Sequence, residues 1–124
     1  MLAAVAERGL PAALVTNSDR RNASGMLDAA PAGALAFAVT GDEVARPKPH
    51  PEPYATALAR LAAERGVERG IAFEDSLSGA TAAHAAGLEV WFVRTHSEAP
   101  AFATRSIASL AEVELDALLA ASAR

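Results

Sequence analysis

From Arg46 to Tyr54 the chain reads RPKPHPEPY, with proline at every second position from 47 to 53. A proline ring fixes φ, removes the backbone N–H and drives the preceding residue away from the helical region. Neither a helix nor an interior strand passes through such a run, so the segment is an extended loop. Pro53 suits the first turn of a helix over 54–65, which Gly66 ends.

On both sides of this loop, short apolar runs alternate with helical stretches. Residues 2–8 read as a helix closed by Gly9 and Pro11, with no capping residue ahead of it. Residues 12–16 form a first strand, Ser18 or Asp19 caps a helix running to about Ala30, and 35–40 form a second strand before the Gly41-Asp42 turn. Beyond the loop, 71–73 is a third strand, and Ser78 caps a helix over 79–86 that stops at Gly87. Residues 89–93 are a fourth strand, 106–110 a possible fifth, and 113–123 a final helix. Strands that alternate with helices imply an α/β fold whose parallel sheet is joined by right-handed crossovers. The chain shows no internal repeat and no linker, so residues 1–124 read as one unit.

Composition limits the core. The 124 residues include 33 alanines, and Leu, Ile, Val and Phe together number 27. That is just above the roughly 20% level at which disorder becomes the default, so the core is thin. The net charge of -4 gives no support for binding nucleic acid, whose phosphates are met by clustered Lys and Arg. With no cysteine, the chain has no disulfide scaffold, thiolate zinc site or cysteine nucleophile. The longest uncharged apolar run, 29–39, falls short of the ~18 residues a membrane span needs, and MLAAVAERGLP has no basic leader. A cytoplasmic protein that engages no membrane is expected.

In folds of this class, ligands gather outside the carboxyl ends of the strands. The rule selects Thr16, Asn17 and Ser18, the proline loop around Lys48, and Glu74-Asp75-Ser76. Glu74 and Asp75 are adjacent carboxylates whose repulsion a hard cation such as Mg²⁺ relieves. They also lie where negative charge favours a helix N-terminus. Lys48, between two prolines, is either a placed point charge for a phosphate or an exposed loop lysine. Thr16 and Asn17 either hold an anion or form a capping turn. Hydroxyl, lysine and acid pair on one rim point together to phosphoryl transfer. Ser76 lacks the small neighbours of a nucleophile elbow, since Glu74 and Ser78 stand two residues away on either side. His50, His84 and His96 show no metal-ligand spacing, and no phosphate-binding glycine loop is present.

LVTNS, VTGDEVARPKPHPEPY and IAFEDSLSGATAAHAAGLEVWFV, in this order and spacing, resemble motifs II, III and IV of the haloacid dehalogenase superfamily. The nearest likeness is to its phosphoglycolate phosphatases and β-phosphoglucomutases, and it covers essentially the whole chain. The resemblance implies a Rossmann-like core and a Mg²⁺-dependent phosphatase of small phosphorylated metabolites such as phosphoglycolate or a sugar phosphate. It implies that Thr16, helped by the Asn17 amide, binds the phosphoryl group, that Lys48 neutralises it, and that Asp75 with Glu74 holds Mg²⁺. Family members attack with an aspartate and pass through an aspartyl-phosphate.

That nucleophile belongs to motif I, D-x-D-G-T, which has no counterpart among Asp19, Asp28, Asp42, Asp75 and Asp116. The helical cap between motifs I and II has none either. The chain therefore reads as the C-terminal portion of a phosphatase, inactive alone. A missing motif I strand leaves two central strand edges. Either they close up, another chain fills the gap through self-association or a complementing N-terminal half, or folding suffers. The rival readings are a phosphate- and metal-binding module without catalysis, or one half of a split enzyme.

Overall fold

The computed structural model describes residues 2–114, 117, 118 and 120. Helix α1 (Leu2–Glu7) precedes strand β1 (Leu14–Val15), then come α2 (Arg20–Ala29) and β2 (Ala38–Val39). After the proline loop follow α3 (Glu52–Arg65), β3 (Ile71–Glu74), α4 (Leu77–Ala85), β4 (Glu89–Val93) and β5 (Arg105–Ile107). Every strand pairing is parallel, with Leu14 opposite Ala38, Ile71 opposite Glu89 and Trp91 opposite Arg105. Among the described residues no helix is long and apolar enough to cross a membrane.

Local chemistry sets the boundaries. Asp19 caps α2, its carboxylate accepting the Asn22 N–H at 2.9 Å. Pro53 lies in the first turn of α3, and Gly66 closes that helix in the left-handed region at φ 69°. Helix α4 starts earlier than the sequence suggests. Ser76, in extended conformation, accepts the Gly79 N–H at 3.1 Å, so Ser76 and not Ser78 is the cap. Strand β5 ends at Ile107 because Ser109 caps a 3-10 turn, Leu110–Glu112, through the Ala111 N–H. Of the final helix expected at 113–123, Ala117, Leu118 and Ala120 are helical, and its remaining residues from 115 on lie outside the described residues.

The core falls into three clusters. Tyr54, Ala72, Ala80, Ala83, Val90 and Phe92 fill the space between α3, α4 and one face of β3–β4. Val5, Trp91 and Leu118 cover the opposite face, and Phe37, Val39 and Ala57 pack β2 against α3. Four of the five β4 residues are buried, as expected of a central parallel strand covered on both sides.

The sheet is split. Strand β1 pairs with β2, β3 pairs with β4, and no ladder joins β1 to β3 among the described residues. The strand edges have not closed up. In a parallel ladder, alternate residues turn their backbone groups to the same neighbour. Leu14 and Thr16 bond toward β2, and Gly70 bonds toward β4. Ala13 and Val15 on one strand, and Ile71 and Phe73 on the other, therefore present their backbone groups away from their partners. A groove of about 1040 Å³ lined by Ala13, Val15, Ile71 and Phe73 runs between these edges.

With so few large core residues, each one matters. Replacing Phe92, which is fully buried, by alanine is expected to cost ~3–5 kcal/mol in urea unfolding. Leu77→Ala, at a position 60% exposed, should change stability by less than about 0.5 kcal/mol. Equal losses at the two positions would contradict the core assignment.

Candidate active site

Strand alternation decides the fate of the acid pair. Successive side chains on β3 point to opposite faces, and Ala72 faces α3 and α4. Glu74 shares that face and is 8% exposed. Its carboxylate meets two donors there. Lys48 Nζ donates to Oε2 at 2.6 Å, and the Tyr54 hydroxyl, from the first turn of α3, donates to the same oxygen. A Cβ on Gly79 would overlap this carboxylate, so only glycine at that place in α4 leaves it room.

Lys48 is equally constrained. Its side chain is 11% exposed, and besides Glu74 its ammonium donates to the Val15 carbonyl at 2.9 Å, on the free edge of β1. An ammonium has three donors, so one remains after these two. The ammonium also stands 5.2 Å from the centre of the Tyr54 ring. A charged pair this deep is held by its partnership. Removing one member leaves an uncompensated charge and costs ~3–5 kcal/mol.

Thr16 stands next to Val15 at the carboxyl end of β1. Its hydroxyl accepts the Ser18 N–H at 3.1 Å, which leaves the hydroxyl proton free to be donated. The Asn17 side chain binds Lys48 instead: Oδ1 accepts the Lys48 N–H at 2.9 Å and Nδ2 donates to the Lys48 carbonyl at 3.2 Å. What Asn17 retains for an anion is its backbone N–H.

Asp75 follows Glu74 but is exposed, with Thr95 Oγ1 at 3.4 Å from its Oδ2. It opens on a hollow of about 440 Å³ that Phe73, Glu74, Val93, Thr95, Ser109 and Leu110 also line. Among the described residues no group of three or more acidic, histidine or cysteine ligands converges on one point. The donor set still suits Mg²⁺, which takes one or two carboxylates and completes its shell with waters and substrate phosphate. Asp75 fits as that carboxylate, whereas Glu74 is committed to Lys48 and Tyr54. The hydrogen-bond cap of α4 is Ser76, with Glu74 and Asp75 directly before it.

Other candidates have structural partners. Asp42 accepts from the Thr40 hydroxyl and the Arg20 N–H, which together hold its carboxyl below the usual range. His84 stacks on Phe102 with ring centres 4.4 Å apart, and His50 Nδ1 accepts the Glu52 N–H. The sequence reading missed Tyr54, although it ends the proline segment and a buried tyrosine needs a partner for its hydroxyl. It also missed Gly79, whose need shows only once Glu74 is placed.

The sequence profile of the haloacid dehalogenase-like hydrolases matches residues 1–87. The chain belongs to this family. It is 40% identical over 94 residues to protein CbbY of Rhodobacter capsulatus, covering 73% of this chain and 40% of that protein. It superposes on CbbY of Rhodobacter sphaeroides in complex with phosphate with a TM-score of 0.78 at 32% identity, over 90% of this chain and 52% of that one. A variant of the same protein in complex with xylulose-1,5-bisphosphate gives 0.77 at 32% identity, with the same coverage of 90% and 52%. A protein of Thermotoga maritima assigned as a β-phosphoglucomutase gives 0.72 at 30% identity, over 86% of this chain and 51% of that one. The chain thus spans about half the length of the solved relatives and two-fifths of the curated one.

Burial and the charge of Glu74 both push the Tyr54 phenol well above the ordinary tyrosine range. A raised folded-state pKa gives stability that is complete below the unfolded value and is lost as pH rises beyond it. Tyr54 is the only tyrosine in the chain, so its absorbance titration is clean. The phenol is expected to stay protonated past the ordinary value of about 10 and to ionise only as the fold opens. A reversible titration near that value in the folded chain would contradict the buried contact. In a second check, Glu74→Gln should destabilise the chain by ~3–5 kcal/mol in urea, and an unchanged midpoint would contradict the pairing.

Proposed function

We propose that this chain carries the phosphate-binding and charge-neutralising part of a Mg²⁺-dependent phosphomonoester hydrolase acting on a small phosphorylated metabolite. The observation that carries this reading is Lys48. Its ammonium is fixed between Glu74 and the Val15 carbonyl, at the strand end where Thr16 offers a hydroxyl proton. A sugar phosphate is favoured over phosphoglycolate, because the CbbY relatives were solved with phosphate and with a pentulose bisphosphate.

In this reading Thr16 donates to one phosphoryl oxygen and Lys48 places its remaining donor and its charge against others. Loose phosphoryl-transfer transition states require such charge stabilisation. Asp75 would hold Mg²⁺, which when bound adds positive charge to the same oxygens. The attacking aspartate comes from a complementing N-terminal half, since the other aspartates near this rim have structural partners. The groove between β1 and β3 supports that assignment, because two edges with outward backbone groups suit an added strand. The cell compartment expected is the cytoplasm.

Calorimetric titration of the purified chain with inorganic phosphate and Mg²⁺ tests the binding step. Lys48→Ala should weaken binding at least about tenfold, as for a lost hydrogen bond to a charged group. Asp75→Asn should remove the enhancement by Mg²⁺. The chain alone should not hydrolyse p-nitrophenyl phosphate. Turnover by the chain alone that Asp75→Asn abolishes would refute the external nucleophile, and unchanged affinity in Lys48→Ala would remove Lys48 from the site.

A further inference from the structure

The alternating prolines leave three backbone N–H groups between Pro47 and Pro53, at Lys48, His50 and Glu52. Two are satisfied inside the loop: His50 donates to the Pro47 carbonyl at 3.0 Å and Glu52 donates to His50 Nδ1 at 3.1 Å. The Lys48 N–H alone leaves the loop, and it goes to Asn17. The Asn17 amide also returns a hydrogen bond to the Lys48 carbonyl. One planar group thus holds both polar backbone atoms of a residue 31 positions away, which fixes orientation as well as distance. Among the described residues no other hydrogen bond ties the backbone of 46–53 to the end of β1.

Asn17 is itself held. Gly41 donates to the Ser18 carbonyl at 2.8 Å, and a Cβ on Gly41 would overlap the Asn17 carbonyl oxygen. The turn at 16–18 therefore lies against the end of β2. Lys48 is bound to the end of β1 twice, its peptide by Asn17 and its ammonium by the Val15 carbonyl. A lysine has a long, flexible stem, so where its charge stands depends on where its backbone is anchored.

We propose that Asn17 is a positioning residue whose side chain sets the place of the Lys48 ammonium by holding the Lys48 peptide, without touching the phosphoryl group. The proposal rests on the reading of Lys48 as the group that neutralises phosphate. It changes the role of the Asn17 side chain from ligand to clamp and leaves its backbone N–H free for the anion. The proline loop then moves as one body with the strand end that carries Thr16, so hydroxyl and ammonium keep a fixed separation.

A double-mutant cycle on the 124-residue chain, read as affinity for inorganic phosphate with Mg²⁺, separates clamp from ligand. Asn17→Ala should weaken binding about fivefold beside Lys48, but less than about twofold in a Lys48→Ala background, because residues that act through one another are not additive. Equal losses in both backgrounds would overturn the proposal, since Asn17 would then touch the anion itself. Amide hydrogen exchange at Lys48 gives a second readout that needs no ligand. Its N–H should be protected in the parent chain and in Asn17→Asp, which keeps the acceptor, and exchange at least about tenfold faster in Asn17→Ala. Exchange of the parent Lys48 N–H at the rate of an open loop would also overturn the proposal, even if Asn17→Ala fails to fold. If the parent chain binds no phosphate, the functional reading of Lys48 fails, and the exchange rates still decide whether Asn17 holds it.

Discussion

The ion pair between Lys48 and Glu74 organises this rim of the molecule. Taking two charges out of water is costly, and their attraction compensates only when the remaining donors and acceptors are met. Here four groups support the pair and leave one ammonium donor free. The Val15 carbonyl takes a second donor of the ammonium, Tyr54 donates to the carboxylate, Gly79 leaves it space, and Asn17 fixes the lysine backbone. These residues come from β1, the proline loop, α3, β3 and α4. The pair therefore links both parts of the split sheet, which no backbone ladder does among the described residues.

That link matters because the rest of the core is small. Three small clusters, built of alanines, four aromatic residues, a few valines and a leucine, make up most of the buried interior among the described residues. Backbone groups at Ala13, Ile71 and Phe73 face a groove instead of a neighbouring strand. Each such group costs ~1–3 kcal/mol if buried without a partner, against a typical stability of ~5–15 kcal/mol. The groove leaves them reachable by water or by another strand, so the cost is deferred until something covers them. The candidate site and the open central edge are thus two aspects of one arrangement, since the site lies at the carboxyl ends of the strands that border the gap.

The neighbouring carboxylates show how one residue step separates structure from chemistry. Glu74 points toward the helices and is used up in holding Lys48. Asp75, one position on, is exposed and lies beside a hollow. Adjacent acids that look equivalent in a sequence differ here because Glu74 is the last residue of β3 and faces the helices, whereas Asp75 follows the strand end and is exposed.

Much of this was legible in the residues. Alternating apolar and helical stretches, the proline run, Asp19 as a cap and Gly66 as a stop are local signals, and local backbone chemistry carries them into the fold. The order and spacing of the three motifs specified the family. Helix α4 was read two residues late because Ser76 and Ser78 both suit a cap, and backbone conformation alone separates them. The duties of Asn17, Tyr54 and Gly79 stayed hidden, because each is defined by a contact twenty or more residues away or by space beside a carboxylate. The sequence by itself pointed to Thr16, Lys48 and the acid pair as candidates on one rim and determined that the fold is a parallel α/β layer. Only the tertiary structure decided which acid is buried, what Asn17 holds and where the sheet divides, because those depend on which faces and edges meet across the fold.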